Sequence, residues 1–326
     1  MMNVIYANAR AKALENGLLG VDRLNRMIDS ASPEEAMKIL SEVNFGGGVI
    51  VDSFLDFEKL ISAEEKAFIS FVKTDCPSDA LKNYLLLPFD FHNAEAFIKE
   101  KYLKKQVADL TVESGLFDKE SMKEKIMLDE YKGFPEEMAK ALLYCDGEFT
   151  SGRANGASVN AAFKCGLYKE LYKNARQDNL LKQIFSVKAD CANFSAAIRS
   201  DNYNSAKRFF VVGGKLSAND LKTLSDEPVE TLKEKFKFTE IGDLIATAVD
   251  SLAKDGSMSD FETAADDYAL TLLKKRKYST EGAIPFMLYC YYKLAEIKNV
   301  RIVLVGLING TDKNEIRRRL RNTYEG

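Results

Sequence analysis

The sequence predicts an all-α protein made of three helical repeat units, and three observations support that fold class. The chain has 326 residues but only 19 Gly and 6 Pro, and so few turn-forming residues disfavour an all-β fold. Apolar side chains such as Leu24, Met27 and Ile28 recur at three- and four-residue steps, which is the period of an amphipathic helix. Three short sequence markers also recur in one order, as is typical of repeat architectures.

The first marker places acidic residues at the start of a predicted helix. Its copies begin at Pro33, Pro135 and Thr239 and read PEEAMKIL, PEEMAKAL and TEIGDLIA. Acids in the first turn complement the positive end of the helix dipole. In the first copy Ser32 is the predicted N-cap, with Glu35 as its capping-box partner and Pro33 as the first helical residue. We expect Pro135 to stand in the same position in its own helix.

The second marker is an acid three residues before an asparagine. It follows each copy of the first by roughly sixty residues, at Asp90 and Asn93, Asp190 and Asn193, and Glu296 and Asn299. Residues three apart on a helix lie on one face, and buried acid and amide side chains are normally hydrogen-bonded. We therefore predict that these six residues are structural and fix one repeat unit against the next.

The third marker is a turn glycine that leads to a predicted helix N-cap. Its copies are Gly115 with Asp118, Gly214 with Ser217, and Gly310 with Asp312. The third glycine lies much closer to its asparagine than the other two, so the third copy is predicted to be truncated. Together the markers predict units at residues 1–121, with an additional N-terminal helix, at 122–225 and at 226–326.

Apolar segments could be misread as a β-strand, a membrane-spanning helix or a signal peptide. Residues 300–308 are rich in β-branched side chains, but no helix breaker separates them from residues 284–299, so we predict a buried helix. The most apolar stretches are interrupted before they reach the roughly 20 residues that a membrane-spanning helix needs. Arg10 lies where a signal peptide would need an apolar core. No transmembrane segment is predicted.

The polar composition limits the possible partners. The formal net charge is -3, which provides no overall attraction to nucleic acid or to anionic lipid. The five cysteines are dispersed without a C-x-x-C pair, which indicates reduced thiols that fill the core. A basic cluster at Arg317, Arg318, Arg319 and Arg321 either complements the end of a helix dipole or contacts an acidic partner surface or anionic headgroups. Nucleic acid is not predicted as a partner.

Several stretches resemble one protein family over nearly the whole chain. These are YANARAKALENGLL near the N-terminus, DFHN at 90–93, DCAN at 190–193 and EIKNVRIVLVGLINGTDKNEIRRRL near the C-terminus. They are similar to the C-type subunits of V-type and A-type ATPases, whose eukaryotic counterparts are called d-type. The sequence departs from the pattern at Leu294, where the family often has Glu, and at Glu95, where it often has Lys.

The resemblance implies a fold and a function. The fold would be three pseudo-symmetric helical units arranged as a funnel. The function would be that of a non-catalytic central-stalk, or rotor, protein on the cytoplasmic face of the membrane. As a socket it would join the D- and F-type subunits of the central shaft to the membrane rotor ring, which is built of c- or K-type subunits. It would thereby couple ATP turnover to proton or sodium transport.

Two other classes of function stay open from the sequence: a generic helical-repeat adaptor that binds proteins, and an enzyme with an unrecognised site. His92 is the only histidine, and a catalytic or metal site needs several converging groups. The nearest approach to a phosphate-binding loop, at Gly213 to Lys215, lacks the required upstream glycine, because Arg208 and Phe209 stand there. We therefore predict no catalytic residue, no metal and no cofactor.

Overall fold

The prediction of an all-α fold is confirmed. The computed structural model describes residues 3–104, 111–279 and 282–325, and within these ranges the regular structure is helical, with no β-strand. Contacts divide the chain into two compact units: Met1–Ser78 with Ser251–Gly326, and Asp79–Asp250. We call them the terminal unit and the central unit. The funnel and the three repeat units stay predictions.

The terminal unit is organised around one long helix, α15. Its helices are α1 (Val4–Glu15), α2 (Gly20–Asp29), α3 (Pro33–Ser41), α4 (Glu58–Asp75), α14 (Ser259–Lys274), α15 (Ile284–Ile308) and α16 (Lys313–Arg318). Helix α15 contacts α1, α2, α3, α4, α14 and α16. The stretch 300–308 belongs to α15, as predicted, and its side chains Val300 and Val303 are buried.

Aromatic packing joins α4 to α15 inside the terminal unit. The Phe71 ring stacks on the Phe286 ring with 5.0 Å between centroids, and the Tyr289 ring meets Phe71 edge-on at 5.1 Å. Phe286 is completely buried. Such ring pairs add to the stabilisation that burial of apolar area already provides.

The central unit contains the remaining helices. They are α5 (Asp79–Leu103), α6 (Lys119–Met127), α7 (Glu136–Thr150), α8 (Gly156–Ala175), α9 (Asn179–Ile198), α10 (Tyr203–Ala206), α11 (Ala218–Asp226) and α12 (Val229–Phe236), followed by α13 (Gly242–Asp255), which ends in the terminal unit. Helix α8 packs against α5, α7 and α9. Phe163, Phe185 and Phe194 are among the fully buried side chains of the central unit.

Four predicted helix N-caps are confirmed. In each, the side chain accepts a backbone N–H from the first turn, in α3, α6, α11 and α16: Ser32, Asp118, Ser217 and Asp312. These caps involve residues close in sequence, which is why the sequence alone identifies them.

The other predicted helix starts differ in detail, because other groups compete for the same hydrogen bonds. The Glu35 carboxylate reaches the N–H of Ala31 instead of that of Ser32. Pro135 is the N-cap of α7 and not its first residue, and a carboxylate oxygen of Glu170 on α8 accepts the N–H of Glu137. The marker at Thr239 closes the turn after α12, so α13 begins three residues later.

Two further expectations can be compared with the structure. The five cysteines are free, and four of them are buried, in agreement with thiols that fill the core. In the described part of the chain, the helices are too short or too polar to cross a membrane.

The aromatic packing in the terminal unit can be tested by one substitution. We expect Phe286→Ala to lower the free energy of unfolding by about 3–5 kcal/mol, because it leaves a cavity beside Phe71. Phe238→Ala is the matched control, since the Phe238 side chain is exposed and its loss should change stability by less than about 0.5 kcal/mol. Denaturant unfolding measures both, and equal effects would contradict the packing described.

Candidate functional site

Asn93 and Asn193 each bind both polar backbone atoms of one later residue. The Asn93 side chain, on α5, donates from Nδ2 to the carbonyl oxygen of Val112 (3.1 Å) and accepts the Val112 N–H at Oδ1 (2.9 Å). The Asn193 side chain, on α9, bonds Val211 in the same way, at 3.0 and 2.7 Å. Both asparagines are buried, and each supplies hydrogen-bond partners to a peptide group that lies outside a helix.

The acid one turn earlier binds the next part of the same segment. The Asp90 carboxylate accepts the backbone N–H groups of Leu116 (2.7 Å) and Phe117 (3.2 Å). The Asp190 carboxylate accepts those of Lys215 (2.9 Å) and Leu216 (3.1 Å). We call each set a helix–loop clamp: an asparagine that holds one residue at both backbone atoms, and an acid that holds two later amides.

Burial of the acid has an electrostatic cost, which the clamp offsets only in part. Burial raises the pKa of Asp190, while the two backbone N–H groups that it accepts, those of Lys215 and Leu216, act in the opposite direction. A buried carboxylate is destabilising unless it accepts hydrogen bonds, so Asp190 depends on the loop amides being in place.

Glycine is required in both clamps by the close approach of the carboxylate. A Cβ atom at Gly115 would lie 2.6 Å from both carboxylate oxygens of Asp90, and one at Gly214 would lie 2.0 Å from Oδ1 of Asp190. Neither glycine has a positive φ. These residues were predicted as turn glycines, and the structure gives a different reason for them.

The third copy of the motif uses the C-terminal segment. The Asn299 side chain on α15 donates from Nδ2 to the Arg321 carbonyl oxygen and accepts the Arg321 N–H at Oδ1, each at 2.8 Å. Gly310 therefore does not correspond to Gly115 and Gly214; it has a φ of +66° and an open environment, and it follows the end of α15. Gly310 is a turn glycine that leads to the Asp312 cap, as predicted, but it does not approach a carboxylate as Gly115 and Gly214 do.

Other contacts hold the same C-terminal segment. The Asp267 carboxylate on α14 accepts the Asn322 N–H (2.7 Å), and the Tyr324 carbonyl accepts the Val21 N–H (3.2 Å). The Tyr324 ring meets the Tyr292 ring edge-on at 5.5 Å. Burial raises the pKa of Asp267 to about 6, against the opposing effects of the Asn322 N–H and the Arg321 charge.

The acid of the third copy, Glu296, belongs to a buried ion network. Its carboxylate accepts the N–H of Leu19 and forms an ion pair with the Lys293 ammonium (2.6 Å). The Lys293 ammonium also pairs with Glu64 on α4 (2.9 Å), and Glu64 accepts the N–H of Gly46 (2.7 Å). All three charged side chains are buried.

Each charge in this network depends on the others. Burial alone would lower the pKa of Lys293, but the nearby carboxylates of Glu296 and Glu64 outweigh it and raise that pKa. Burial raises the pKa of Glu296 against the opposing effect of Lys293. Removal of one partner from such a network leaves an uncompensated buried charge, which is strongly destabilising. No role was predicted for Lys293 from the sequence; its position three residues before Glu296 was the available signal.

The clamps connect residues within the predicted repeat units in the first two copies. The bonds of Asp90 and Asn93 reach residues 112–117, and those of Asp190 and Asn193 reach residues 211–216. Glu296, by contrast, bonds Leu19, which is distant in sequence. The role of these residues between repeat units stays a prediction.

The predicted basic cluster at the C-terminus is ion-paired within the terminal unit. Its pairs are Arg317 with Asp29, Arg318 with Asp255 and Asp260, Arg319 with Glu315, and Arg321 with Asp266. The Arg318 guanidinium lowers the pKa of Asp260. A contact of these arginines with a partner protein stays a prediction.

His92 lies between two clamp residues on α5 and is exposed. Within the ranges that the structure describes, no group of three or more His, Cys, Asp or Glu side chains is placed to hold a metal ion. The geometry around His92 is that of a hydrogen-bonded structural motif, and the chemistry of the clamps is the satisfaction of buried backbone groups.

Comparison with known proteins identifies similar chains. Residues 7–319 match the family model described as ATP synthase (C/AC39) subunit. The chain is 23% identical to the C-type subunit of the A-type ATP synthase of Methanocaldococcus jannaschii, over 96% of this chain and 84% of that protein. It is 20% identical to the C-type subunit of the V-type sodium ATPase of Enterococcus hirae, over 97% of each.

A glycine substitution tests the close approach in the second clamp. We expect Gly214→Ala to destabilise the protein by about 1–3 kcal/mol, because the new Cβ would displace Asp190 from the amides that it accepts. Gly147→Ala is the control, since a Cβ there meets nothing within 4 Å in helix α7 and alanine favours a helix. Denaturant unfolding should show loss for the first variant and no loss for the second; similar values would argue against the clamp.

The pKa of Asp267 predicts how stability depends on pH. Between the ordinary value of 3.8 and about 6, the folded protein keeps a proton on Asp267 that the unfolded chain has lost. This group therefore makes stability fall as pH rises through that window. Asp267→Asn removes the titration and keeps an oxygen to accept the Asn322 N–H. Unfolding curves at several pH values should show the variant gaining on the parent as pH rises; a constant difference would contradict this.

Proposed function

Because the chain belongs to the ATP synthase (C/AC39) subunit family, we propose that it is a non-catalytic central-stalk subunit of a V/A-type ATPase. The observation that carries the proposal is the match of residues 7–319 to that family. The two relatives, which are named as ATPase or ATP synthase subunits, also align with 96–97% of this chain.

In this role the protein is a socket between the central shaft and the membrane rotor ring. Its partners are D- and F-type shaft subunits on one side and c- or K-type ring subunits on the other, at the cytoplasmic face of the membrane. It couples ATP turnover to proton or sodium transport without performing chemistry itself. The sequence supports this passive role, since it lacks a loop that could cradle phosphate.

A socket must transmit torque, and the helix–loop clamps support that requirement. Torque is lost where segments between helices yield under load. Side chains of α5 hold at least four backbone atoms of segment 112–117, and side chains of α9 hold four backbone atoms of segment 211–216. The buried Lys293 network joins α4 to α15 in the same stiff manner.

Affinity capture tests the proposal directly. The tagged chain, recovered from gently solubilised membranes, should bring with it the shaft and ring subunits of an ATPase in fixed proportion. The isolated chain should neither bind nor hydrolyse ATP. Capture of unrelated proteins alone would favour a generic helical adaptor, and saturable ATP turnover that survives purification would favour an enzyme; either result would overturn the proposal.

A clamp variant tests whether the protein couples the two activities of the complex. Asn193→Leu leaves the N–H and carbonyl of Val211 without their partner, at a cost of about 1–3 kcal/mol. The socket loosens, so we expect ion pumping to fall while ATP hydrolysis by the head continues. Ion pumping and ATP turnover are measured on the same membranes.

Asn219→Leu is the matched control, since Asn219 is exposed on α11, and it should leave both activities unchanged. If Asn193→Leu reduced pumping and hydrolysis in strict proportion while the complex stayed intact, a direct catalytic role would follow and the socket would be excluded.

A further inference from the structure

A run of basic residues at the end of α14 is largely exposed. Residues 274–277 read KKRK, and Lys275, Arg276 and Lys277 are exposed. Within the described ranges, no carboxylate forms an ion pair with these three side chains, whereas Lys274 pairs with Glu325 at 2.9 Å. Backbone bonds fix the turn: the N–H of Arg276 donates to Leu273 (2.9 Å) and that of Lys277 to Lys274 (3.2 Å). These backbone bonds hold the turn, and the Lys277 ammonium also lies 5.0 Å from the centroid of the Tyr278 ring.

Large apolar and aromatic side chains are exposed near this turn. Tyr278 directly follows the basic run and is 87% exposed. On the first turn of α1, Ile5 is 75% exposed, and Val4 and Tyr6 are also exposed. In its first two turns, helix α1 buries the small side chains of Ala7 and Ala11, so the apolar side chains named above are left exposed.

One side chain joins α1 to the start of α15. The Asn8 Nδ2 on α1 donates to the carbonyl oxygen of Gly282 (3.0 Å), and its Oδ1 accepts the N–H of Phe286 (3.3 Å). Ile5 and Tyr6 lie within one helical turn of Asn8, and Tyr278 lies four residues before Gly282. Four residues span at most about 14 Å. The first turn of α1 and the basic turn therefore belong to one end of the terminal unit.

We propose that this surface, formed by Val4, Ile5, Tyr6 and residues 275–278, binds the anionic headgroup region of a lipid bilayer. Lysine and arginine beside exposed tyrosine and isoleucine are the combination that suits the interface, where charges meet lipid phosphate and the rings enter the headgroup layer. The choice of a bilayer rests on the proposed function, which places the chain beside a membrane.

The attraction is local. The whole chain has a formal net charge of -3, so it gains nothing from a negative surface except where cations are unpaired. The C-terminal arginines differ in this respect, since Arg318 and Arg321 are paired with acids of the same unit. The basic turn places three exposed cations next to one another.

Vesicle binding by the full chain tests the proposal. We expect the purified protein to sediment with vesicles of phosphatidylglycerol and phosphatidylcholine, to ignore pure phosphatidylcholine, and to be released by salt. The combined variant Lys275→Ala, Arg276→Ala, Lys277→Ala should lower the partition coefficient by up to about a hundredfold. The double variant Ile5→Ser, Tyr278→Ser should lower the partition coefficient less. It should also insert less deeply into the bilayer, as measured with lipids that carry a fluorescence quencher.

The chain offers a matched control with the same change of charge. In Lys233→Ala, Lys235→Ala, Lys237→Ala, three lysines are lost that pair with Asp250, Glu227 and Glu234 beside the exposed Phe238 ring. This variant should bind vesicles within about twofold of the parent. Equal losses in the two charge variants would show a non-specific charge effect and overturn the proposal.

The remaining outcomes separate this inference from the proposed function. If the chain ignored anionic vesicles but was still captured with ATPase subunits, the lipid site would be wrong and the socket would stand. If the basic-turn variant bound vesicles normally but lost its protein partners, the surface would bind an acidic protein, which also overturns the inference. Vesicle binding without capture of any ATPase component would support the lipid site and exclude the socket.

Discussion

A peptide group that leaves a helix but stays buried loses its helical hydrogen-bond partner and must find another. In this protein, side chains on long helices supply those partners. Asn93, Asn193 and Asn299 each hold both backbone atoms of one residue in a later segment. A buried peptide group without a partner costs about 1–3 kcal/mol, so the asparagines stabilise these partly buried segments, which are not helical, against the helices.

The acids extend this constraint and explain the neighbouring residues. Asp90 and Asp190 each accept two amides, and the approach is so close that only glycine fits at positions 115 and 214. Glu296 has a longer side chain and serves another purpose, since it joins Leu19 and Lys293 in a buried network that reaches Glu64. The acid of the marker thus fixes a loop in two copies and joins helices in the third.

The sequence could predict what depends on neighbours along the chain. Helix class, the caps at Asp118 and Ser217, and the helical state of residues 300–308 follow from short-range patterns. It could not predict Arg321 as the partner of Asn299, because the segment lacks the glycine that marks the other two copies. Nor could it distinguish paired from unpaired charge: the arginines at 317–321 were the obvious cluster, yet the structure pairs them and leaves residues 275–277 exposed. Those differences depend on contacts between distant parts of the chain.

Amide hydrogen exchange tests the central claim that helix side chains hold the segments between helices in place. The N–H groups of Val211, Lys215 and Leu216 lie outside regular helices, yet each donates to Asn193 or Asp190. We predict that these three amides exchange as slowly as amides in the middle of α9. Exchange at the rate of an unstructured chain, with α9 itself still protected, would show that the segment opens independently and would contradict the claim.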